Sequence, residues 1–375
     1  MNRVAAVITH SPFGTSEGEI LVQGARRASV LDLVAILRKA GLERILLVSG
    51  YGELVRRAET FGVEVVPPPR GEPFHLGQTL KRIVAREGLH GLLYFGSGSG
   101  GLMTVSNAAS LMDFAEREEK GALLNNYYSC DFGSISAADE LLRVDLPQID
   151  NSIGFALSDA GWPCYSLPRD VVSQFDIDTP TDLLLLQAAD QAGPAMRSFL
   201  KKQELANSAL SRLVDLLPDR SAHLLIIGRL NPTTWGHFER GVACRTSAIA
   251  EGRGIRAYPS QKKTLAGAVM HREGVHAFFE KLSWMADAAI IDSRPVLSEE
   301  RKIPGPADRF ASDMLRPQLV GDRLWREFTE GAVEAPIPVL LGGHSMVNGG
   351  LYLLSEACWK DRDLACRLHP DIVDW

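Results

Sequence analysis

The sequence contains few cysteines, and they are not arranged to bind a metal. The five cysteines are scattered, none forms a Cys-x-x-Cys pair, and no histidine stands at zinc-ligand spacing from any of them. Their odd number and scattered placement predict reduced, mostly buried thiols in a cytoplasmic protein. A structural zinc site built on cysteine pairs is thereby excluded.

Long apolar runs and an excess of basic residues are also missing. No apolar run approaches the ~20 residues of a membrane-spanning helix, and residues 1–8 lack the basic and apolar regions of a signal peptide. The formal net charge of −6 offers no basic surface for nucleic acid. We therefore expect neither a membrane nor a nucleic acid as a partner, and the sequence leaves a homo-oligomer open.

What the sequence does contain is a regular alternation of apolar strands and helical segments. The runs lack internal alternation of polar and apolar residues, which is typical of strands covered on both faces. This order predicts βαβ units, a mostly parallel sheet and an α/β fold class of the doubly wound kind. The first strands are predicted at residues 4–8, 45–48, 63–66 and 92–95.

Glycine-containing loops follow the first and fourth of these strands. Ligands of parallel sheets bind beyond the carboxyl ends of the strands. Gly14 lies in the first loop, predicted over residues 9–19, and Gly98 lies in the glycine-serine loop of residues 96–101. Both are candidate ligand-binding residues because glycine-rich loops bring backbone N–H groups close to an anion. The first long helix is predicted to begin only at Val30.

The stretch of residues 175–186 predicts a strand end followed by a buried helix. Asp176 and Asp178 alternate with apolar residues, as at the end of a strand with one face inward. Thr179 is a good N-cap, and Asp182 completes a capping box before a run of leucines. Two carboxylates at such a junction suit a divalent cation beside a phosphate. The alternative is that these aspartates only cap the helix.

This stretch, together with the Asn125–Asn126 pair and the turn at residues 151–154, resembles small nucleotidyltransferases of the nucleotide-diphospho-sugar-transferase fold. The closest resemblance is to the 2-phospho-L-lactate guanylyltransferases, followed by the molybdenum-cofactor nucleotidyltransferases. It covers about residues 1–190. It implies transfer of a nucleoside monophosphate from a nucleoside triphosphate, GTP or CTP by preference, to a small phosphorylated metabolite.

The resemblance also implies functional residues. Asp178, with Asp176, would help to hold Mg²⁺, and Asn126, Asn151 and Ser152 would line the nucleotide and substrate pocket. The alternative for the last three is that asparagine and serine are common turn residues.

Two places depart from the family pattern. The family's first loop ends in Lys or Arg, whereas this chain has Glu17 and Glu19 there, with Arg26 or Arg27 as later substitutes. A carboxylate ~6 Å from a phosphate oxygen costs roughly 3 kcal/mol per unit charge at an effective dielectric constant near 20. The family's acidic motif after the fourth strand is replaced by the loop of residues 96–101. A catalytically silent domain that keeps the fold for binding or assembly is therefore the second hypothesis.

The second half predicts another, smaller α/β domain. We expect a nucleotidyltransferase-like domain at residues 1–192, a helical connector at 193–220, and a second α/β domain of unrecognised family at 221–375. In this last domain a helix is predicted over Trp235–Glu251 and a strand over Ile255–Tyr258.

Polar residues follow the predicted strands of this second domain and open its last helix. Two arginines beside a glycine-rich helix start suit a phosphate or a carboxylate, so an anionic-metabolite site is the third hypothesis. The alternative is that the arginines pair with acids such as Glu239 or Asp308. The candidate ligand-binding residues are Arg229, Arg294, His344 and Ser345.

Overall fold

Two α/β units make up the described part of the chain. The computed structural model describes residues 3–69, 71–253, 263–298, 303–360 and 362. Each unit is built on one sheet, so the predicted α/β class is confirmed. The first unit comprises Met1–Phe13, Gly24–Asp176 and Gly193–Phe199, and the second comprises Gly14–Gln23, Ile177–Ala192 and Leu200–Trp375.

The first unit contains a seven-stranded, mostly parallel sheet. Its order is β3-β2-β1-β4-β6-β5-β7, and only β6 runs antiparallel to its neighbours. Both faces are covered, because Ala5 and Val7 of the first strand belong to one apolar core while Ala6 and Ile8 belong to another. The strands are β1 Val4–Thr9, β2 Ile45–Val48, β3 Glu64–Val66, β4 Gly91–Gly96, β5 Gly121–Leu124, β6 Phe132–Ser136 and β7 Cys164–Ser166.

Helices connect these strands. Short 3-10 helices cover Ala138–Arg143 and Asp150–Ser152. The α-helices up to residue 200 are α1 Glu17–Lys39, α2 Gly52–Glu59, α3 Leu76–Glu87, α4 Val105–Ala115, α5 Ile153–Asp159, α6 Val171–Gln174, α7 Pro180–Ala189 and α8 Pro194–Leu200. Helix α7 and the first residues of α1 group with the second unit.

Two local predictions in this half are wrong. Helix α1 begins at Glu17 rather than Val30, because Ser16 and Glu19 form a capping box in which the Glu19 carboxylate accepts from the Ser16 N–H at 3.0 Å. The segment around Asp176 and Asp178 is not a strand end. The Asp178 N–H donates to a side chain of α7 instead of to a neighbouring strand.

The second unit contains a four-stranded parallel sheet of order β11-β10-β8-β9. The chain places β9 on one side of β8 and the later strands on the other, so a topological switch point lies between β8 and β10. The strands are β8 His223–Gly228, β9 Arg245–Ala250, β10 Ala288–Asp292 and β11 Val339–Gly342. The helices are α9 Ser208–Leu216, α10 Pro232–Gly241, α11 Leu265–Glu273, α12 Val275–Met285, α13 Ser293–Leu297, α14 Pro306–Asp313, α15 Arg323–Glu334 and α16 Gly349–Ala357, with a 3-10 helix at Pro317–Leu319.

One prediction here is wrong and another is not tested. The predicted helix over Trp235–Glu251 ends at Gly241, and strand β9 follows it, since β-branched and small residues pair there with β8. The predicted strand over Ile255–Tyr258 lies outside the described residues. Across the described ranges, no helix has both the length and the apolar character to cross a membrane.

Helix α7 is buried as the leucine run predicts. Its residues from Pro180 to Leu186 are all buried. Within the second unit, the Thr181 hydroxyl donates to the Leu341 carbonyl of β11 at 2.7 Å, and Leu185 lies against Gly350 of α16. A leucine-rich helix of this kind is stabilised by burial on several sides.

Candidate functional site

The carboxyl edge of the first sheet brings together residues from four strands. His10 follows β1, and Gly96 ends β4 opposite Thr9. Asp131 precedes β6 and its carbonyl accepts from the Gly96 N–H at 2.9 Å, while Asn125 follows β5. Neighbouring strands lie ~4.8 Å apart, so His10 and Asp131, two strands apart, are separated by roughly 10 Å along the edge.

The β1 end of this edge is basic. His10 is 2% exposed, and neither of its ring nitrogens has a hydrogen-bond partner within the described ranges. The Arg27 guanidinium lies 4.4 Å from the centre of the Tyr51 ring, and the Tyr51 ring centre lies 6.3 Å from that of His10. Burial, together with the positive charges of Arg27 and Arg26, lowers the pKa of His10 to about 4. The imidazole is therefore neutral at pH 7.

The other end of this edge is acidic. The Tyr94 hydroxyl donates to Asp150 Oδ2 at 3.1 Å, and Asn125 Nδ2 donates to Asp131 Oδ2 at 3.0 Å. A Cβ placed on Gly96 would lie 3.9 Å from Asp150 Oδ2 and 3.5 Å from the Asp131 carbonyl oxygen. Burial, followed by the Asp150 charge, raises the pKa of Tyr94 well above its usual value, so the phenol stays protonated and donates. The Asp150 carboxylate and the backbone carbonyl of Asp131 thus lie beside the start of the loop of residues 96–101, which itself contains no carboxylate.

The predicted pocket residues of the first unit lie at this acidic end. Asn126 is in the β5–β6 loop and its Oδ1 accepts from the Tyr128 N–H at 3.1 Å. Asn151 Nδ2 donates to Ser129 Oγ of the same loop at 2.7 Å, and Ser152 precedes α5. The structure therefore places Asn151 against the loop that contains Asn126, and the ligand contacts of Asn126, Asn151 and Ser152 stay predictions.

One feature of this region was missed by sequence reasoning. An aromatic cluster joins Tyr128, which is 62% exposed, to the rings of Tyr127 and Phe155. Its signal was the consecutive tyrosine pair beside Asn126. The predicted Gly98 is buried in the loop after β4, and its ligand contact also stays a prediction.

The Glu19 carboxylate occupies the space where a side chain at Gly14 would lie. Gly14 has a φ of +59°, and a Cβ at this position would lie 1.9 Å from the Glu19 carboxylate. That carboxylate also accepts from the Thr15 N–H at 3.1 Å. Glu17 pairs with Arg316 at 2.5 Å. Both acidic groups expected to repel a phosphate thus have partners within the second unit, and the ligand contact of Gly14 stays a prediction.

The two predicted metal ligands belong to different units. Asp176 ends a segment of the first unit, and Asp178 lies in the segment of the second unit that leads into α7. The described residues contain no group of three or more His, Cys, Asp or Glu side chains that is arranged to hold a metal ion. Magnesium ligation by these aspartates stays a prediction.

Asp182 is a fully buried capping residue. Its Oδ2 accepts from the N–H groups of Asp178 at 2.9 Å and Thr179 at 2.7 Å, and from the Thr179 hydroxyl at 3.0 Å. The predicted capping box is thereby confirmed. Burial, and then the charge of Asp178, raises the pKa of Asp182 to about 8. The carboxyl group is therefore mostly protonated at pH 7.

This raised pKa predicts a pH-dependent stability. A group whose pKa is higher in the folded state binds more protons there, so its stabilising contribution is complete below its ordinary pKa of 3.8 and is lost as the pH rises through about 8. We expect the free energy of unfolding of wild type, measured by urea denaturation, to fall over that range relative to Asp182→Asn, which cannot ionise. The exposed Glu330→Gln serves as control, and parallel pH profiles for wild type and Asp182→Asn would contradict the assignment.

Both candidate arginines of the second unit are paired with acids. Arg229 binds Asp292 through two bonds of 2.6 and 3.0 Å. Arg294 is 5% exposed and binds Asp313 through two bonds of 2.5 and 2.6 Å. Pairing of the two arginines with acids is the alternative that the sequence predicts, but their partners are Asp292 and Asp313 rather than Glu239 or Asp308. The proposed acid Asp308 instead accepts from the backbone of residues 321 and 322.

Three of the predicted residues meet at the carboxyl edge of the second sheet. Asn348 connects them, because its Nδ2 donates to the Arg229 carbonyl at 3.2 Å and to the His344 carbonyl at 2.8 Å. Ser345 is buried, and its carbonyl accepts from the Asn348 N–H at 3.1 Å. Burial, and then Arg229, lowers the pKa of the half-buried His344 to about 4. Ligand binding by these residues stays a prediction.

Comparison with known proteins finds likeness only among solved structures. No family model matches the chain, and no curated protein matches it either. A nucleotidyl transferase from Methanothermobacter thermautotrophicus is 17% identical and covers 54% of this chain and 100% of its own, with a TM-score of 0.39. A cytidylyltransferase from Leptospira borgpetersenii is 13% identical over 55% of this chain and 100% of its own, with a TM-score of 0.39.

A third solved structure is a manganese complex of Rv0371C from Mycobacterium tuberculosis. It is 16% identical and covers 49% of this chain and 97% of its own, with a TM-score of 0.32. Each of these three structures covers about half of this chain.

Proposed function

We propose that the first unit binds a nucleoside triphosphate with a divalent cation and transfers its nucleotidyl group to a small phosphorylated acceptor. The observation that carries this proposal is the position of Asp131 and Asp150 beside Gly96. The family resemblance implies an acidic motif after the fourth strand, where this chain has only glycine and serine. Here the carboxylate of Asp150 and the backbone carbonyl of Asp131 come from other segments to the same place.

The oxygen atoms around Gly96 suit a hard divalent cation. Mg²⁺ is typically bound in enzymes by one or two carboxylates, with phosphate and water completing its shell. Asp150 Oδ2 and the carbonyl oxygen of Asp131 lie near one point, the position of a Cβ on Gly96. Tyr94 and Asn125 orient the two carboxylates through their hydrogen bonds. A bound Mg²⁺ or Mn²⁺ would offset negative charge on the phosphates.

The chemistry is an in-line displacement in which positioning and electrostatics dominate. A phosphate oxygen of the acceptor attacks the α-phosphorus, a new P–O bond forms, the bond to the β-phosphate oxygen breaks, and pyrophosphate leaves. Asn126, Asn151 and Ser152 stand at the acidic end of the edge, where they orient the acceptor and the base. GTP and CTP are the nucleotides that the resemblance favours.

Phosphorus NMR tests this proposal on the whole chain. The protein is incubated with each of the four nucleoside triphosphates, Mg²⁺ and a mixture of small phosphorylated metabolites. We expect pyrophosphate and a new diphosphate-linked product with one nucleotide. Pyrophosphate from none of the four, with Mg²⁺ or Mn²⁺, would overturn the transferase proposal, and binding without turnover would favour a catalytically silent domain.

A further inference from the structure

The β1 end of the first sheet contains a buried imidazole without hydrogen-bond partners. His10 is 2% exposed, and both of its ring nitrogens lack a partner within the described residues. Unsatisfied buried polar atoms cost free energy and are uncommon in folded proteins, and where they occur they often serve a ligand or a reaction. Nothing in the mechanism proposed above uses this side chain.

Two positively charged side chains act on His10. Arg26 and Arg27 are consecutive on α1, both are half-buried, and both act electrostatically on the imidazole. Arg27 stacks on Tyr51, whose ring stands edge-on to His10 at an interplanar angle of 81°. The Tyr51 hydroxyl in turn donates to the exposed carboxylate of Glu53 at 3.5 Å. Arginine placed beside a buried donor is typical of sites for anions.

A second unpartnered polar atom lies further along the same helix. Ser29 is 1% exposed and its hydroxyl has no partner among the described residues. A Cβ on Gly101, in the loop after β4, would lie 2.6 Å from this hydroxyl oxygen. Unsatisfied donors thus occur both after β1 and beneath the glycine-serine loop, at the edge where parallel sheets bind ligands.

We propose that His10, Arg26 and Arg27 form a subsite for a phosphate group. His10 donates one ring N–H to a phosphate oxygen, and the two guanidinium groups offset the charge. These residues replace the basic residue that the resemblance implies at the end of the first loop. The inference rests on the proposed function only for the source of the phosphate, either the nucleotide or the phosphorylated acceptor.

Isothermal titration calorimetry of the full chain tests this subsite without metal. The probes are tripolyphosphate, which stands for the nucleotide, and glycerol 3-phosphate, which stands for the acceptor, both in EDTA. We expect His10→Phe and Arg27→Gln each to raise the Kd of the tighter probe about tenfold or more, because a charge-assisted hydrogen bond is removed. Arg57→Gln, an exposed arginine on α2, makes the same charge change and should leave the Kd unchanged.

The outcomes separate this inference from the proposed function. If both variants bind tripolyphosphate more weakly than wild type, and wild type turns over no nucleotide, the subsite is supported and the transferase proposal is overturned. An unchanged Kd in folded His10→Phe, or no binding of either probe to wild type, would overturn the subsite. If His10→Phe does not fold, nitrogen NMR of the wild-type imidazole replaces it, and ring shifts that stay constant during the titration would overturn the inference.

Discussion

Replacing Asp150 by asparagine is expected to reduce nucleotidyl transfer on the order of 100-fold or more while the protein stays folded. A divalent cation at phosphorus stabilises the transition state by several kcal/mol, and each ~1.4 kcal/mol corresponds to a factor of ten in rate. Asparagine preserves the hydrogen bond that Asp150 accepts from the Tyr94 hydroxyl, but removes the charge. Steady-state measurement of pyrophosphate release provides the comparison.

Asp159→Asn is the matched control for this variant. Asp159 is exposed at the end of α5 in the same unit, so the substitution makes the same change in net charge away from the proposed site. The control should keep wild-type rates. A transfer rate in Asp150→Asn within twofold of wild type, at saturating nucleotide and Mg²⁺, would contradict the placement of the cation.

Arg294→Met is expected to lower the free energy of unfolding by about 3–5 kcal/mol, because it leaves a buried carboxylate unpaired. Asp313 has no exposed surface, and Arg294 provides it with two hydrogen bonds. Arg294 Nη1 also donates to the Gly342 carbonyl at the end of β11. Urea denaturation followed by circular dichroism measures the change.

A double variant distinguishes loss of charge pairing from loss of packing. Arg294→Met combined with Asp313→Leu removes both charges, so it should be clearly more stable than Arg294→Met alone. The exposed Arg272→Met should change stability little. A loss below about 1 kcal/mol in Arg294→Met would mean that the pair does not stabilise the second unit. Arg294 would then be available as the ligand-binding residue that the sequence predicts.

Local signals predicted the fold well because the strands are short, apolar and buried on both faces. The runs of β1 and β4 and the leucines of α7 needed no long-range information. The apolar periodicity predicts the start of helix α1 too late, because Ser16 and Glu19 lie in a segment with the composition of a loop although they have the spacing of a capping box. The strand predicted before α7 does not form there, because the Asp178 N–H donates a hydrogen bond to the Asp182 carboxylate.

The site itself was less predictable, because its acidic residues are distant in sequence from the loop that they flank. Asp131 reaches Gly96 only through the antiparallel pairing of β6 with β4, and antiparallel insertions in a parallel sheet carry no simple signal. Asp150 arrives from a 3-10 helix. His10 did carry a local signal, an imidazole directly after a buried strand, but its lack of partners is a property of packing.

We expect that the first unit binds a nucleoside triphosphate with a divalent cation near Asp150. Calorimetric titration of wild type and Asp150→Asn with GTP, CTP, ATP and UTP, each with Mg²⁺ and with EDTA, tests it most directly. We predict that wild type binds one nucleotide more tightly with Mg²⁺ and that Asp150→Asn loses this difference. Binding of none of the four nucleotides, or an equal effect of Mg²⁺ on both proteins, would contradict it.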